Sequence, residues 1–228
     1  MYAERASRLT GAVVWTNNAT GSDARPVLPD GCMDLMWSEG RLLVAGPDTR
    51  PHLPQGPGRS WAGIRFFPGT APALLGVPAH ELRDRRVELA ELWSDARVRR
   101  LRDRIEAAPD PATALEDIAL DRAARSTAPD PLLHRLVESL DEGRPVSATA
   151  AELDIGTRTL HRRCLAAFGY GPKTLARILR LQRALALARS GTPYAETAIR
   201  AGYADQPHLA REVRDLAGMP LGELLGGG

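Results

Sequence analysis

Cysteine, lysine and aromatic side chains are scarce in this chain of 228 residues. Its two cysteines, Cys32 and Cys164, lie far apart, and neither belongs to a Cys-x-x-Cys pair. This spacing excludes a cysteine-based metal motif and a disulfide framework, so the expected location is a reducing cytoplasm. Aromatic residues make up only 5% of the sequence, so each tryptophan marks a position in the core or in a binding site.

Long apolar runs and targeting signals are also missing. The sequence has no apolar stretch of about 18 residues, which argues against a membrane-spanning helix. Its N-terminus lacks the basic, apolar and small-residue succession of a secretory signal peptide. We therefore expect neither membrane insertion nor secretion.

Motifs of the common enzyme classes are absent too. The sequence contains no Gly-x-Ser-x-Gly elbow, no glycine loop for phosphate and no His-Glu-x-x-His pair. His52 and His80 lie in proline-rich segments without candidate metal ligands beside them. A role for Cys32 as an acceptor of alkyl groups needs a metal or a cationic neighbour that lowers the pKa of its thiol, and no second cysteine is nearby. We expect no catalytic residue, no metal ion and no cofactor.

The net charge of +2 is unevenly distributed. Residues 147–228 contain eleven basic and seven acidic side chains, a net charge of +4, so the preceding residues carry −2. This asymmetry favours a polyanionic partner for the C-terminal part. Lys173 is the only lysine among the 30 basic residues, and arginine is suited to phosphate and guanine recognition. A general compositional bias towards arginine and alanine explains the same excess.

The first part of the chain predicts a small antiparallel β sheet or barrel followed by helices. Short β-type runs, separated by turn residues such as Leu-Pro-Asp-Gly, occur about ten residues apart. The predicted strands are 11–16, 32–38, 41–46 and 61–67. From about residue 70 the apolar period becomes helical, and the predicted helices are 70–76, 78–84, 88–108 and 111–124.

These patterns divide the chain into three parts. Residues 1–125 are expected to form an N-terminal domain that is β-rich over 1–68 and helical over 70–125. Residues 126–146 are expected to be a linker and a connecting helix, because Arg-Ser-Thr-Ala-Pro-Asp-Pro places two prolines within seven residues. Residues 147–228 are expected to form an all-α domain, so the fold class is α+β.

The C-terminal part contains an internal repeat. Three positions recur after 49 residues: Leu160 with Leu209, Arg162 with Arg211, and Gly169 with Gly218. In each copy a short helix and a tight turn precede a second helix that ends at the glycine. The segment 176–191 between the copies has an apolar stripe of helical period. The sequence therefore predicts two helix–turn–helix units joined by one long helix.

The second helix of each unit is the candidate DNA-contacting element, because helix–turn–helix units insert this helix into the major groove. The two helices are expected to run from about Thr157 to Phe168 and from Gln206 to Leu216. Their exposed residues are predicted to contact DNA: Thr157, Arg158, His161, Arg162, Gln206, His208, Arg211 and Arg214. Arg158 and Gln206 are expected to read bases, and Arg162 and Arg211 to bind phosphates. For His161 and His208, a surface position without a partner is the alternative.

The stretch 147–225 resembles the AraC-type DNA-binding domain. Residues 202–224, GYADQPHLAREVRDLAGMPLGEL, are similar to the pattern of the second unit in that family. The residues that match are Gly202, Tyr203, Asp205, Arg211, Gly218 and Pro220, whereas Leu209, Val213 and Arg214 stand where the pattern has Phe, Phe and Lys. The resemblance implies that both recognition helices enter successive major-groove segments of double-stranded DNA.

The N-terminal half is similar to an uncharacterised domain that is found fused to AraC-type modules. The similarity lies in VLPDGCMDLMW (27–37), VAGPDTRP (44–51) and GIRFFPGTAPALLGVPAHELRDRRVEL (63–89). By analogy with AraC-type sensors, it implies a cupin-like barrel over residues 1–125 that binds a small-molecule effector or mediates dimer contacts.

A candidate effector site follows from strand alternation, because Asp34 and Arg65 are each predicted to point away from their apolar neighbours. Together with nearby tryptophans they suit a pocket with a few polar groups in an aromatic surround. The predicted ligand-binding residues are Trp15, Asp34, Trp37, Trp61 and Arg65. A structural ion pair beside core tryptophans is the alternative.

The sequence thus predicts a bacterial, sequence-specific transcription regulator that is not an enzyme and is controlled by a small molecule. The alternative is a ligand-binding or protein-interaction module with a degenerate DNA-binding half. A homodimer is a further expectation: the apolar helices between 88 and 123 suit either a dimer interface or packing within the domain.

Overall fold

A computed structural model describes residues 1–18, 26–53 and 60–226. The strands are β1 (Tyr2–Ala6), β2 (Ala12–Asn18), β3 (Met33–Ser38), β4 (Arg41–Ala45), β5 (Ser60–Phe66) and β6 (Arg86–Glu88). The helices are α1 (Ala71–Leu75), α2 (Asp95–Glu106), α3 (Pro111–Ala123), α4 (Pro131–Asp141), α5 (Val146–Glu152), α6 (Thr157–Phe168), α7 (Pro172–Arg189), α8 (Tyr194–Ala201), α9 (Gln206–Ala217) and α10 (Leu221–Gly226). No helix in these ranges is long and apolar enough to cross a membrane.

The six strands form one antiparallel sheet in the order β1-β2-β5-β3-β4-β6. This confirms the predicted antiparallel sheet, and all four predicted strands are present. The pairing of the described strands is that of an open sheet, because β1 and β6 lie at its opposite edges. The sequence pattern does not predict these two edge strands, since every residue of β1 is exposed and β6 has only three residues.

One face of the sheet forms the main hydrophobic core. Its alternate residues include Val14, Leu35 and Ile64, which are at most 3% exposed and pack against α1, α2 and α3. The buried residues that α2 and α3 contribute to this core include Val98, Ile105, Leu115 and Ile118. Packing within the N-terminal domain therefore accounts for the apolar faces of these helices.

The predicted helix over 88–108 is interrupted. A 3₁₀ helix covers only Leu89–Glu91, and α2 begins after Ser94, whose backbone is extended with ψ of 141°. Between them the indole nitrogen of Trp93 donates a hydrogen bond of 2.8 Å to the carbonyl oxygen of Leu75. This tertiary contact accompanies the break. The predicted helix over 78–84 is likewise reduced to a 3₁₀ turn, Ala79–Glu81.

The C-terminal part contains the two predicted helix–turn–helix units. The first consists of α5 and α6, and the second of α8 and α9. The long helix α7 belongs to both hydrophobic cores, since Leu175 and Ile178 pack with the first unit and Leu181 and Leu185 with the second. One rigid helix therefore sets the position of the two units relative to each other.

Helix α4 packs into the hydrophobic core of the first unit. It begins after Asp130, whose side chain accepts a hydrogen bond from the backbone nitrogen of Leu132. Leu136 and Leu140 are at most 1% exposed and lie in the same cluster as Leu160. The segment expected to be a linker and a connecting helix thus contributes to the core of the C-terminal domain.

Candidate nucleic-acid interface

Helix α6 is the second helix of the first unit. It starts at Thr157 after Gly156 and ends at Gly169, which has the left-handed φ of 82° that glycine adopts without strain. Its predicted apolar residues Leu160, Cys164 and Phe168 are all at most 1% exposed. The buried stripe fixes which side of the helix remains outward.

All four predicted DNA-contacting residues of α6 are on its exposed side: Thr157, Arg158, His161 and Arg162. Arg158 and Arg162 form no ion pair and no side-chain hydrogen bond within the described ranges. By contrast, the neighbouring Arg163 approaches Asp130 to 3.3 Å. The ring of His161 lies close to Gly171, where an added β-carbon would be 2.9 Å from it. The two arginines of α6 without a partner are therefore the two that are predicted to contact DNA.

Helix α9 occupies the same place in the second unit. Asp205 caps it by accepting a 2.7 Å hydrogen bond from the backbone nitrogen of His208, and Pro207 lies in its first turn. The helix ends at Gly218, with φ of 73°. Leu209, Val213 and Leu216 are at most 4% exposed, as their spacing predicts. Gln206, Arg211 and Arg214 are exposed, and in the part of the chain that the structure describes neither arginine has an ionic or hydrogen-bonding partner.

His208 differs from the prediction, because its side chain is not fully exposed. Its ring meets the ring of Tyr203 edge-on, with centroids 5.2 Å apart. Its Nδ1 atom accepts a 3.3 Å hydrogen bond from the backbone nitrogen of Ala204. Both contacts lie in the turn before α9, so His208 stabilises that turn with one side of its ring.

A buried ion cluster that sequence reasoning missed holds α9 against α7. The carboxylate of Glu212 is 7% exposed and accepts hydrogen bonds of 2.7 Å from Arg180 and 3.0 Å from Arg177. The guanidinium group of Arg180 also lies 4.5 Å from the ring centroid of Tyr203. The sequence carried one signal, since Glu212 follows Leu209 by three residues and thus falls on the apolar face of the helix.

The glycines that end α6 and α9 lie against one short segment of the N-terminal domain. A β-carbon added at Gly169 would be 2.6 Å from Cγ of Pro47, and one added at Gly218 would be 3.3 Å from Cγ of Pro51. These glycines are the positions that the repeat pairs with each other. The C-terminal ends of both helices therefore face the N-terminal domain.

The last turn of α6 makes further contacts with the N-terminal domain. The carbonyl oxygen of Leu165 is 3.3 Å from Nδ1 of His80, and a β-carbon added at Gly69 would be 3.0 Å from the ring of Phe168. On α7, Gln182 donates a 2.6 Å hydrogen bond to the carbonyl oxygen of Pro29. The two domains are thus in direct contact at the ends of α6 and α9 and along α7.

Three of the predicted ligand-binding residues come together on the outer face of the sheet. Asp34 and Arg65 are direct cross-strand partners, with Nε of Arg65 3.4 Å from Oδ1 of Asp34. The indole nitrogen of Trp15 donates a 2.6 Å hydrogen bond to the same oxygen. Burial raises the pKa of Asp34 to about 6, against the opposing effect of Arg65. Tyr2 stacks on Trp15, with ring centroids 6.3 Å apart.

The other two tryptophans are not part of this cluster. Trp37 lies on the opposite face of the sheet, in the main core with Leu35, because residues two apart on a strand share a face. Trp37 therefore does not lie beside Asp34 and Arg65. Trp61 precedes the inward-facing Ala62 and is half-buried on the outer face. Two surface hollows lie along α2 and α3, and none of the five predicted residues lines either of them.

The candidate metal ligands and the thiol of Cys32 were considered as further sites in the described parts of the chain. No three His, Cys, Asp or Glu side chains there are grouped as metal ligands would be. Burial, together with the charges of Asp30 and Asp34, raises the pKa of Cys32. This environment opposes the thiolate that an alkyl acceptor requires.

Two parts of the chain match known families. Residues 149–226 match the family described as "Helix-turn-helix domain", which is of the AraC type. Residues 12–88 match the family described as "Domain of unknown function (DUF6597)". No curated protein matches the sequence significantly.

The fold is similar to that of ToxT from Vibrio cholerae, an AraC-family regulator. A crystal structure of ToxT at 1.65 Å resolution matches with a TM-score of 0.52 and 9% identity, over 93% of this chain and 98% of that chain. An apo variant of ToxT matches with a TM-score of 0.50 and 11% identity, over 97% of this chain and 99% of that chain. At such identities the similarity concerns the fold. Residues 149–226 are therefore similar to an AraC-type helix–turn–helix domain and residues 12–88 to a domain of unknown function, and each match covers less than half of the chain.

Proposed function

We propose that the protein is a sequence-specific regulator of transcription that binds double-stranded DNA through both α6 and α9. The observation that carries the proposal is the equivalent presentation of two twelve-residue helices. In each helix the glycine at the C-terminal end lies against the N-terminal domain, and the first two residues, Thr157 and Arg158 in α6 and Gln206 and Pro207 in α9, are exposed. Helix–turn–helix units read base edges with this N-terminal end.

The charges on the two helices suit this role. Arg158, Arg162, Arg211 and Arg214 are exposed and unpaired among the described residues, whereas Arg177, Arg180 and Arg183 are held by internal contacts. We assign Arg158 and Gln206 to base reading, because they lie in the first turns. We assign Arg162, Arg211 and Arg214 to phosphates, with Thr157 and His161 beside them. His208 contacts DNA only with the part of its ring that Tyr203 leaves uncovered.

Selection of bound fragments from random and genomic DNA tests the proposal with the full-length protein at moderate salt. We expect an enriched site of two halves about one helical turn, ~10 bp, apart. Arg158→Ala or Gln206→Ala should relax the preference at one base position at a cost of about 1–3 kcal/mol. Arg162→Ala or Arg211→Ala should weaken binding to all sequences and flatten the salt dependence.

Arg163→Ala is the matched control for these variants, because this arginine of α6 is paired with Asp130. It should leave the preferred sequence unchanged. Equal losses on selected and random DNA for all variants would contradict the division between base and phosphate contacts. A lack of enrichment under every condition would favour the alternative of a degenerate DNA-binding half, which the intact second unit argues against.

We propose further that a small polar effector acts where the outer face of the sheet meets the first unit. The support is the hydroxyl of Tyr170, a buried polar atom without a hydrogen-bond partner in the described ranges. Nε of Arg65 is also buried and forms no hydrogen bond there, although it has ionic contacts with Asp34 at 3.4 Å and with Asp30 at 3.6 Å. Asp30 links the two sites, since it lies 3.6 Å from Arg65 and precedes Gly31, where an added β-carbon would be 3.6 Å from that hydroxyl. Buried polar groups are normally paired, so a ligand that pairs them is favoured there.

A thermal-shift screen of small polar metabolites tests this effector site, with Tyr170→Phe as the matched control. The variant removes only the unpaired hydroxyl and should fold. We expect a compound that stabilises the native protein and stabilises the variant less. If all hits act equally on both proteins, the effector does not bind at this place.

A homodimer also remains a proposal. The faces of α2 and α3 that suited a dimer interface are buried against the sheet. Sedimentation equilibrium of the full-length protein, with and without the selected DNA, measures whether it forms.

A further inference from the structure

A hollow of about 240 Å³ lies between α2 and α3, away from both proposed sites. Its rim is formed by five arginines, of which three come from successive turns of α2, one from the last turn of α3 and one from just beyond α3: Arg97, Arg100, Arg104, Arg122 and Arg125. Leu101 and Ile118 supply an apolar floor, and Asp121 is the only carboxylate among the lining residues. The hollow is therefore small, partly apolar and strongly positive.

The single carboxylate does not neutralise this charge. Asp121 is engaged by Arg104 at 2.6 Å. Arg122 donates hydrogen bonds of 2.9 and 2.7 Å to the carbonyl oxygen of Leu74, which is uncharged. Arg100 and Arg125 have no side-chain partner in the described part of the chain. Four of the five positive charges thus lack an anion.

Arg97 is held in place although its surroundings oppose its charge. Its guanidinium carbon lies 3.9 Å from the ring centroid of Trp93, and that of Arg122 lies 5.0 Å from the same ring. Burial and the charges of Arg122, Arg125 and Arg100 lower the pKa of Arg97. Its place in the first turn of α2 is also unfavourable for a cation, because the helix dipole is positive there.

We infer that this hollow binds a small molecule that carries a phosphate or polyphosphate group. A phosphate group presents several oxygens around one centre, and each accepts hydrogen bonds from the planar fork of a different arginine. Such an anion relieves the repulsion among the four uncompensated arginines. The size of the hollow limits the occupant to a small ligand, and the apolar floor suits the part of the ligand beyond its phosphates.

Calorimetric titration of the full-length, DNA-free protein with inorganic pyrophosphate tests the inference. We expect saturable binding that Arg100→Gln and Arg125→Gln each weaken by about tenfold or more, the effect of losing a charge-assisted hydrogen bond. Both side chains are exposed and unpaired, so the variants should fold with unchanged or slightly higher thermal stability.

Two controls make the result specific. Arg99→Gln removes the same charge from the preceding position of α2, which does not line the hollow, and should leave the affinity unchanged. Arg211→Ala should also leave it unchanged, which separates this site from the proposed DNA contacts. Absence of binding, or an equal loss in Arg99→Gln, would overturn the inference. Citrate that binds as tightly as pyrophosphate would overturn the assignment to phosphate. Because the titration contains no DNA, either outcome leaves the proposed function untouched.

Discussion

Helices α6 and α9 are equivalent by the internal repeat, yet they are stabilised in different ways. Both have twelve residues and both end at a left-handed glycine. The last turn of α6 is covered by the N-terminal domain, through His80 and through Gly69 beside Phe168. Helix α9 is anchored mainly within its own domain by Glu212. Both helices end against the N-terminal domain, but the last turn of α6 has the more extensive contacts with it, whereas a buried ion cluster ties α9 to α7. The comparison leads us to expect that loss of a contact in α6 affects the N-terminal domain more than loss of one in α9.

The distribution of tryptophan provides a probe for this difference. All four tryptophans of the chain lie in the N-terminal domain, at positions 15, 37, 61 and 93. Their fluorescence reports unfolding of that domain. Circular dichroism at the helical bands reports mainly the C-terminal domain, which has most of the helices.

The largest expected effect comes from Phe168→Ala. This side chain is 1% exposed and belongs to the core of the first unit, so its truncation should lower the free energy of unfolding by about 3–5 kcal/mol. Because the ring also lies against Gly69, both the fluorescence and the dichroism midpoints in urea should fall. Leu216→Ala in the second unit should cost about 2–5 kcal/mol and move mainly the dichroism midpoint. An unchanged fluorescence midpoint in Phe168→Ala would remove the distinction between the units.

The next largest effect is expected from Gly169→Ala, with Gly202→Ala as its control. Both glycines have left-handed backbones, with φ of 82° and 89°, so alanine costs about 1–2 kcal/mol at either position. Only at Gly169 does the new methyl group collide with Pro47, which adds about 1–3 kcal/mol of overpacking. Urea denaturation of the two variants measures the difference. Equal losses of stability in the two variants would mean that Pro47 moves aside for the added methyl group without a measurable cost.

The sequence predicts the elements of this comparison but not the contacts that distinguish them. The repeat and the spacing of Leu209, Val213 and Leu216 are local patterns, and they place both helices and their apolar faces correctly. Alternation within each strand is equally local, and it places Asp34 opposite to Leu35, Arg65 opposite to Ile64, and Trp37 on the face of Leu35. The direct pairing of Asp34 with Arg65 joins two strands and does not follow from alternation alone. The ligand prediction included Trp37 although alternation places it on the other face.

The remaining features depend on residues that are distant in the sequence. The contacts of Pro47 with Gly169 and of Arg180 with Glu212 arise only when separate elements pack together. The break before α2 coincides with the hydrogen bond from Trp93 to Leu75, a partner that helical periodicity does not include. His208 is turned towards Tyr203 by a ring contact across the turn. Patterns within one segment carry no information about such partners.

A smaller effect is expected from Glu212→Gln, which removes the charge but retains the size of the side chain. The loss of charge-assisted hydrogen bonds to Arg177 and Arg180 should lower the free energy of unfolding by about 1–3 kcal/mol. The dichroism midpoint should fall while the fluorescence midpoint changes little. Asp215→Asn is the control, since this carboxylate is 68% exposed and 3.6 Å from Arg177, and it should cost at most about 0.5 kcal/mol. Equal losses of stability in the two variants would show that the hydrogen bonds of the buried Glu212 contribute no more than the exposed contact of Asp215.

The smallest effects are expected at the first residues of the two helices. Asp205→Ala removes the side-chain cap of α9 and should cost about 1 kcal/mol. Gly156→Ser adds a cap to α6, where the backbone is already extended with φ of −63° and ψ of 142° and an added β-carbon meets no atom within 4 Å. Because glycine is itself a fair N-cap, the gain should be only a few tenths of a kcal/mol. Thermal unfolding of the two variants measures both changes. The stability gained in Gly156→Ser should be smaller than the stability lost in Asp205→Ala. The opposite result would mean that the missing cap weakens α6 more than its contacts with the N-terminal domain compensate.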